Sequence, residues 1–411
     1  MGGEDRALRG RWKVLLGGFL LSLMGGVAYA WGVFVVPMME RFGWSRYGAT
    51  LPFTFFMLVF AFFMVPAGHW QDKKGPGKVA PIGAILFLVA YILSGLVDRF
   101  PNPWWLVLSY GFLGGLACAL TYSCVAPVAR KWFPDKPGLA VSLAVMGFGL
   151  AAIFFAPLKA RFLIPAYGIE STFLIIGVLT SGISLLASRL LKNPPQNWSF
   201  YEQCLQSGQC KTVEVRAELA PSQVVGKKLF WELWLIFFLV STGGFVSLSL
   251  ISSYGQEVLG LDPLFASLAI SVFAGVNGLG RPLAGYLGDR FGILFTMIGA
   301  YVLQGLTLVL FGELVLSQVR LYVASAMVGF GYAVNLALFP TLVALCFGIK
   351  HLGANYGLVF TAFGVAALVS GIGSWMFDLT GSFTPAFLFS GLMALLGAGL
   401  SFLVKRAYRL Y

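Results

Sequence analysis

Charge is scarce in this sequence. Only 11% of its 411 residues are Asp, Glu, Lys or Arg, against about a quarter in an ordinary soluble domain. The sixteen carboxylates fall in, or close to, the polar breaks between long apolar runs. A chain so poor in charge cannot clothe a water-facing surface, which excludes the soluble globular class. Histidine is scarcer still: His69 and His351 sit at the ends of separate runs with no metal-spaced cluster beside them, so neither a metal nor a cofactor is expected. The five cysteines (Cys118, Cys124, Cys204, Cys210, Cys346) form no CxxC pair. Cys204 and Cys210 fall in a segment read below as cytosolic and reducing, so free thiols are expected. No nucleophile and base stand together at membrane depth, which argues against an enzyme. The start, MGGEDRALRG, leads into a full-length apolar run and not into a short signal segment, so the first helix is expected to stay.

What remains is apolar length: 58% of the residues are hydrophobic. Crossing a hydrocarbon layer of ~30 Å takes about 20 residues of helix. Twelve such windows fit, near 14–37, 50–70, 79–97, 104–129, 138–158, 171–190, 231–254, 264–287, 294–312, 318–346, 354–376 and 383–404. A membrane barrel would show ~10-residue alternating segments, and these runs are continuous. With the N-terminus inside, twenty-one of the twenty-eight Lys and Arg fall on the inner side. Six fall outside (Arg41, Arg46, Arg99, Lys159, Arg161, Arg320), and Arg281 falls within a run. Both termini are therefore expected in the cytoplasm. The net charge of +12 reads as topology and contact with anionic lipid, since nucleic-acid binding needs a basic face on a soluble domain. Nine of the eleven tryptophans (Trp12, Trp44, Trp70, Trp104, Trp105, Trp132, Trp198, Trp231, Trp234) mark run ends, while Trp31 and Trp375 lie deeper.

The chain repeats itself. GHWQDKKG (68–75) and GYLGDRFG (285–292) pair Gly68 with Gly285, Asp72 with Asp289 and Gly75 with Gly292, each 217 positions apart, with Lys73 and Arg290 following the acids. The same offset pairs Gly147 with Gly364. The longest polar stretch separates the halves, giving a six-helix bundle over 1–190, a cytoplasmic linker over 191–228 and a second bundle over 229–411. Parallel halves of this kind place a transport site between them at mid-membrane. A carboxylate just past one helix can cap the N-terminus of a neighbour and hold one face closed, with the basic residues left for lipid or a second carboxylate. The two loops resemble the loop signature of the major facilitator superfamily, and the resemblance covers the whole chain. Ile293 and Leu294 stand where that signature often has further basic residues.

Within NGLGRPLAGYLGDR (277–290), Arg281 lies eight residues from Asp289, about 12 Å along a helix and close to the midplane. An Arg there costs roughly 2.5–3.5 kcal/mol on insertion scales. It either lies against backbone carbonyls or meets an anion. Snorkelling serves helix ends only. Asn277 is one turn away on the same face, Pro282 frees the carbonyl of Gly278, and Gly275, Gly278 and Gly280 allow close approach. No acidic residue of the chain stands at that depth, so the substrate is expected to bring the negative charge, gripped through two parallel hydrogen bonds. Tyr29, Tyr122, Tyr332, Phe360 and Phe363 stand at mid-helix depth and either line the site or simply pack the bundles.

YAWGVF (29–34), KWFPDKPGLAVSLAVMGFG (131–149), NPP (193–195) and NYGLVFTAFG (355–364) look like the oxalate/formate antiporter family and, more distantly, the monocarboxylate transporters. The resemblance implies uptake or exchange of small carboxylates by a twelve-helix carrier with Arg281 as anion clamp. Oxalate transporters carry a Lys in a TAKG stretch, where this chain has Phe363. A dianion would then bury an uncompensated carboxylate, so a lactate-like or pyruvate-like monocarboxylate is favoured, with an oxalate/formate-type dicarboxylate exchanger as the rival and a transporter-derived nutrient sensor as the reading of another class. Monocarboxylate transporters have an Asp where Asn277 stands, so proton symport, uniport and exchange all stay open. A monomer in the inner membrane of a prokaryote, with lipid and a small anion as its partners, is the expected setting.

Overall fold

The computed structural model describes residues 3–195, 218–369 and 372–408. Trp198, Cys204 and Cys210 lie outside the described residues. The described ones are helical throughout, with short turns. The passages are α1 (Gly10–Phe42), α2 (Arg46–Lys74), α3 (Pro76–Ser94), α4 (Pro103–Trp132), α5 (Pro137–Pro157) and α6 (Ile164–Ser188). The second set is α7 (Lys228–Glu257), α8 (Pro263–Phe291), α9 (Ile293–Val309), α10 (Gln318–Phe347), α11 (Leu352–Val369, continued by Ile372–Thr380) and α12 (Thr384–Tyr408).

Ten runs are long and apolar enough to cross a membrane, and α9 is a shorter apolar helix. One run, Pro137–Ser188, spans 52 residues, about 78 Å as straight helix and more than twice the hydrocarbon thickness. It breaks at Gly168, whose φ of 75° only glycine adopts freely, and so contains both α5 and α6. The chain is an all-α membrane protein of two six-helix bundles, α1–α6 and α7–α12.

Proline opens α3, α4, α5 and α8, where a missing N–H costs nothing. Side chains cap others: Ser45 accepts from the Gly48 amide, Asn102 from Trp104 and Asp262 from Leu264. Inside the bundles, small polar groups tie helices together. Asn335 on α10 accepts from the Tyr301 hydroxyl at 2.7 Å and donates to Ser241 at 3.0 Å, fastening α10 to α9 and α7.

Two first-bundle helices are irregular at mid-depth. In α1 the helix tightens to a 3₁₀ stretch over Gly26–Ala30. In α4 it widens to a π-helix over Val107–Gly114, then opens at Ser123 and Cys124 before resuming. Non-helical backbone at membrane depth survives only where protein or a cavity surrounds it. Tyr29 lies in the first irregularity and Tyr122 immediately precedes the second break.

The bundles meet along α2 with α11 and α5 with α8. Glycines allow the approach: a methyl on Gly149 would lie 2.7 Å from the Cα of Gly278. The described end of the linker is not free chain. Leu219 donates its amide to the Phe347 carbonyl at 3.0 Å, Glu218 accepts from the Ile349 and Lys350 amides, and Asn355 donates to the Leu219 carbonyl. This stretch therefore belongs physically to the turn between α10 and α11.

Candidate functional site

The bundle interface has a closed end, on the face that carries both termini. There Asp72, at the end of α2, accepts from the Gly353 and Ala354 amides at 3.1 and 2.9 Å, the first turn of α11. Asp289, at the end of α8, accepts from the Gly138 and Leu139 amides, both at 2.8 Å, the first turn of α5. Each carboxylate thus satisfies orphan N–H groups and meets the positive end of a helix in the opposite bundle. The flanking glycines have steric reasons. A side chain on Gly68 would strike the Gly353 carbonyl, and one on Gly285 the Gly138 carbonyl. Gly75 and Gly292 end their helices at φ 81° and 97°. Lys131 and His351 act on Asp72, as Arg130 and Asp135 act on Asp289. Arg290 donates to the Tyr286 hydroxyl at 2.8 Å and lies over the Phe291 ring, where lipid or a second carboxylate was expected. The Gly147 and Gly364 pair does not share a contact: Gly147 packs on α1 in its own bundle, Gly364 on Ala61 across the interface.

Two turns deeper lies Arg281, 0% exposed. Its Nη1 donates to the Val145 carbonyl of α5 at 2.7 Å and its Nη2 to Asn277 Oδ1 at 3.3 Å. Its Nε is buried without a partner. The guanidinium forms no ion pair with any described carboxylate. The alternative of an Arg lying against a backbone carbonyl is therefore realised for one nitrogen, and that carbonyl belongs to the other bundle. α8 remains helical through Pro282. Gly278 and Gly280 are closely approached, by Leu150 and by Phe330, whereas Gly275 has only Ile153 at 3.8 Å.

The aromatic residues gather around this point. The charge of Arg281 bears on Tyr29, Tyr122 and Tyr332, and the Tyr29 and Tyr332 hydroxyls pair across the interface. Phe360 stacks on Phe363 at 4.9 Å, and Phe363 packs on Phe245 at 5.0 Å. Three residues absent from the sequence reading join them. Phe148 packs edge-on to Tyr29 and Tyr122 and stacks on Phe60, which meets Phe360 at 5.2 Å. Tyr356 on α11 also feels Arg281, and its buried hydroxyl has no partner. The available signal was its place in NYGLVF, one turn before Phe360.

One expectation is corrected. Lys159, assigned to an outer loop, is 1% exposed, so Arg281 is not the single buried cation of the chain. Among the described residues no group of three His, Cys, Asp or Glu is placed to hold a metal. A shallow groove on α12 between Leu392, Leu396 and Leu403 is apolar and remote from all these groups.

This site, buried between two six-helix halves and closed at one end by paired helix caps, belongs to a carrier. The sequence profile of the Major Facilitator Superfamily matches residues 14–311 and again 233–409. The chain is 27% identical to the oxalate:formate antiporter of Oxalobacter formigenes, covering 90% of this chain and 85% of that one. It is 26% identical to monocarboxylate transporter 13 of Rattus norvegicus, covering 94% and 87%. Its fold is similar to that of the fucose:proton symporter of E. coli, with a TM-score of 0.71, 14% identity and coverage of 95% and 99%. The chain belongs to the Major Facilitator Superfamily and is a multi-pass secondary transporter.

Proposed function

We propose that this member of the Major Facilitator Superfamily carries small monocarboxylate anions of the lactate or pyruvate kind by alternating access. The reading sets it as a monomer in a prokaryotic inner membrane, with both termini and the paired caps on the cytoplasmic side. The observation that carries the reading is a fully buried guanidinium whose described partners, the Val145 carbonyl, the Asn277 amide and the Tyr122 hydroxyl, are all neutral groups. An unpaired buried cation gains most from an anion that reaches it. A carboxylate accepts two parallel hydrogen bonds from such a fork, which displaces the weaker Val145 contact. Tyr29, Tyr122, Tyr332 and Tyr356 offer hydroxyl donors, and Phe60, Phe148, Phe360 and Phe363 offer an apolar wall for a short alkyl group.

The tie between Arg281 and Val145 joins the two bundles. An arriving carboxylate takes the guanidinium, so the loaded carrier loses that tie and gains a neutralised site. Moving to the cytoplasm-open state then requires release of Asp72 and Asp289 from the two helix N-termini, after which water rehydrates the ion pair and the anion leaves. Purified protein in liposomes loaded with lactate should exchange it for labelled lactate, and Arg281→Ala should abolish exchange while the protein stays folded in detergent. Undiminished exchange by that variant removes the assignment.

Oxalate exchange is the second reading, favoured by the name of the Oxalobacter relative. Against it stands Phe363, an apolar ring packed among Phe245, Phe360 and Tyr332 where a second carboxylate would need a cation. Stronger competition of lactate uptake by pyruvate than by oxalate separates the two.

A further inference from the structure

Lys159 has no part in the account so far. It stands in the π-helical stretch Leu158–Leu163 that extends α5 towards the face opposite the termini. Its side chain runs back into the first bundle, where Nζ lies 3.4 Å from the Val27 carbonyl and 5.1 Å from the centre of the Phe34 ring. Among the described residues no charged side chain acts on it. From α1 it meets that carbonyl and that ring, neither of which titrates. Arg161, on its own stretch, is exposed, and Glu170 of α6 is only half-buried and does not act on it. The Tyr91 ring packs on Phe173, and the Tyr110 ring on Trp31 and Phe173.

Val27 is not an arbitrary anchor. It belongs to the same 3₁₀ stretch, Gly26–Ala30, that presents Tyr29 to Arg281. An α-helix would direct the Trp31 amide to the Val27 oxygen, but here that amide goes to Ala28 at 3.0 Å. In a 3₁₀ turn each carbonyl accepts from the amide three residues on, so the lysine adds a second, side-chain donor to the Val27 oxygen. An ammonium holds that carbonyl far better than a neutral amine, because its hydrogen bond is charge-assisted. Buried amines without a counter-charge are the lysines whose protonation responds to their surroundings.

We propose that Lys159 is a positioning residue: its protonation state fixes the 3₁₀ turn of α1, and with it Tyr29, so that the affinity for the substrate anion responds to pH. Binding one proton places a positive charge in the low-dielectric bundle next to the turn that lines the site, and linkage makes proton and anion each favour the other. The proposal rests on the anion-carrier reading.

The test is equilibrium exchange of lactate in proteoliposomes with the same pH on both sides, from about pH 5.5 to about pH 8.5, where lactate stays ionised. In the wild type the half-saturation concentration should fall at least about fivefold from the alkaline to the acid end. Lys159→Met should stay at the weak value and Lys159→Arg at the tight value across the range. A wild type without slope, or a Lys159→Met variant with the wild-type slope, overturns the proposal. Tryptophan emission supplies a readout that needs no substrate, because Trp31 lies 5.6 Å from Phe34. The wild type should show an emission step over this range that both variants lack, and identical titrations in all three overturn the proposal. If the wild type exchanges no monocarboxylate, the functional reading fails, while the emission step still decides the role of Lys159.

Discussion

The two halves agree at the closed face and part at mid-depth. At the closed face Asp72 caps α11 as Asp289 caps α5, each with a glycine four residues earlier against the partner helix and another three residues later at positive φ. At mid-depth the second bundle brings the charge, Arg281, and the first brings Tyr29, Tyr122 and a carbonyl. A repeat of this kind keeps its helix caps matched in the two halves and leaves its chemistry at mid-depth free to diverge.

The asymmetric centre should dominate any loss. Arg281→Lys retains a charge but loses the planar fork, and lactate exchange should fall at least about a hundredfold, with folding checked by size-exclusion profile. Near-normal exchange would mean that a point charge suffices. Phe363→Lys places a second cation on α11 and should improve competition by oxalate over pyruvate by about tenfold or more. An unchanged ratio would remove Phe363 from the substrate boundary.

The symmetric caps should give smaller and matched effects. Asp72→Asn and Asp289→Asn each weaken two charge-assisted hydrogen bonds, by about 1.5–3 kcal/mol apiece at most. Both should shift the carrier towards its alternative state to a similar degree, read by labelling of single cysteines placed along α5 and α11. If only one of them matters, the repeat is not mechanically symmetric. Smallest of all, Tyr356→Phe removes a hydroxyl that already lacks a partner. It should leave thermal stability unchanged and raise the half-saturation concentration a few fold, by about 1 kcal/mol. No kinetic change would place that hydroxyl away from the substrate.

The fold was legible because apolar length is a strong signal, and the paired caps because Gly68, Asp72 and Gly75 return as Gly285, Asp289 and Gly292. The lining was harder to read. Helices such as α5 and α11 are apolar all round, so periodicity does not separate lipid from interface, and Phe60, Phe148 and Tyr356 carry no mark of their own. Lys159 was misread for a geometric reason. The apolar window closes at 158 and left Lys159 in the loop that follows, but the helix continues through that stretch, and side chains on a helix point back towards its N-terminus. The lysine is thereby carried inward. Arg281 was legible because an arginine so far from any helix end has few explanations, although its contact with Val145 across the interface could not be read from spacing.

The most direct test of the central claim is a structure of the carrier with lactate bound. The account predicts the carboxylate about 2.8 Å from the Arg281 guanidinium, with Nη1 released from the Val145 carbonyl. A guanidinium still bonded to Val145, with the anion seated elsewhere, would contradict it.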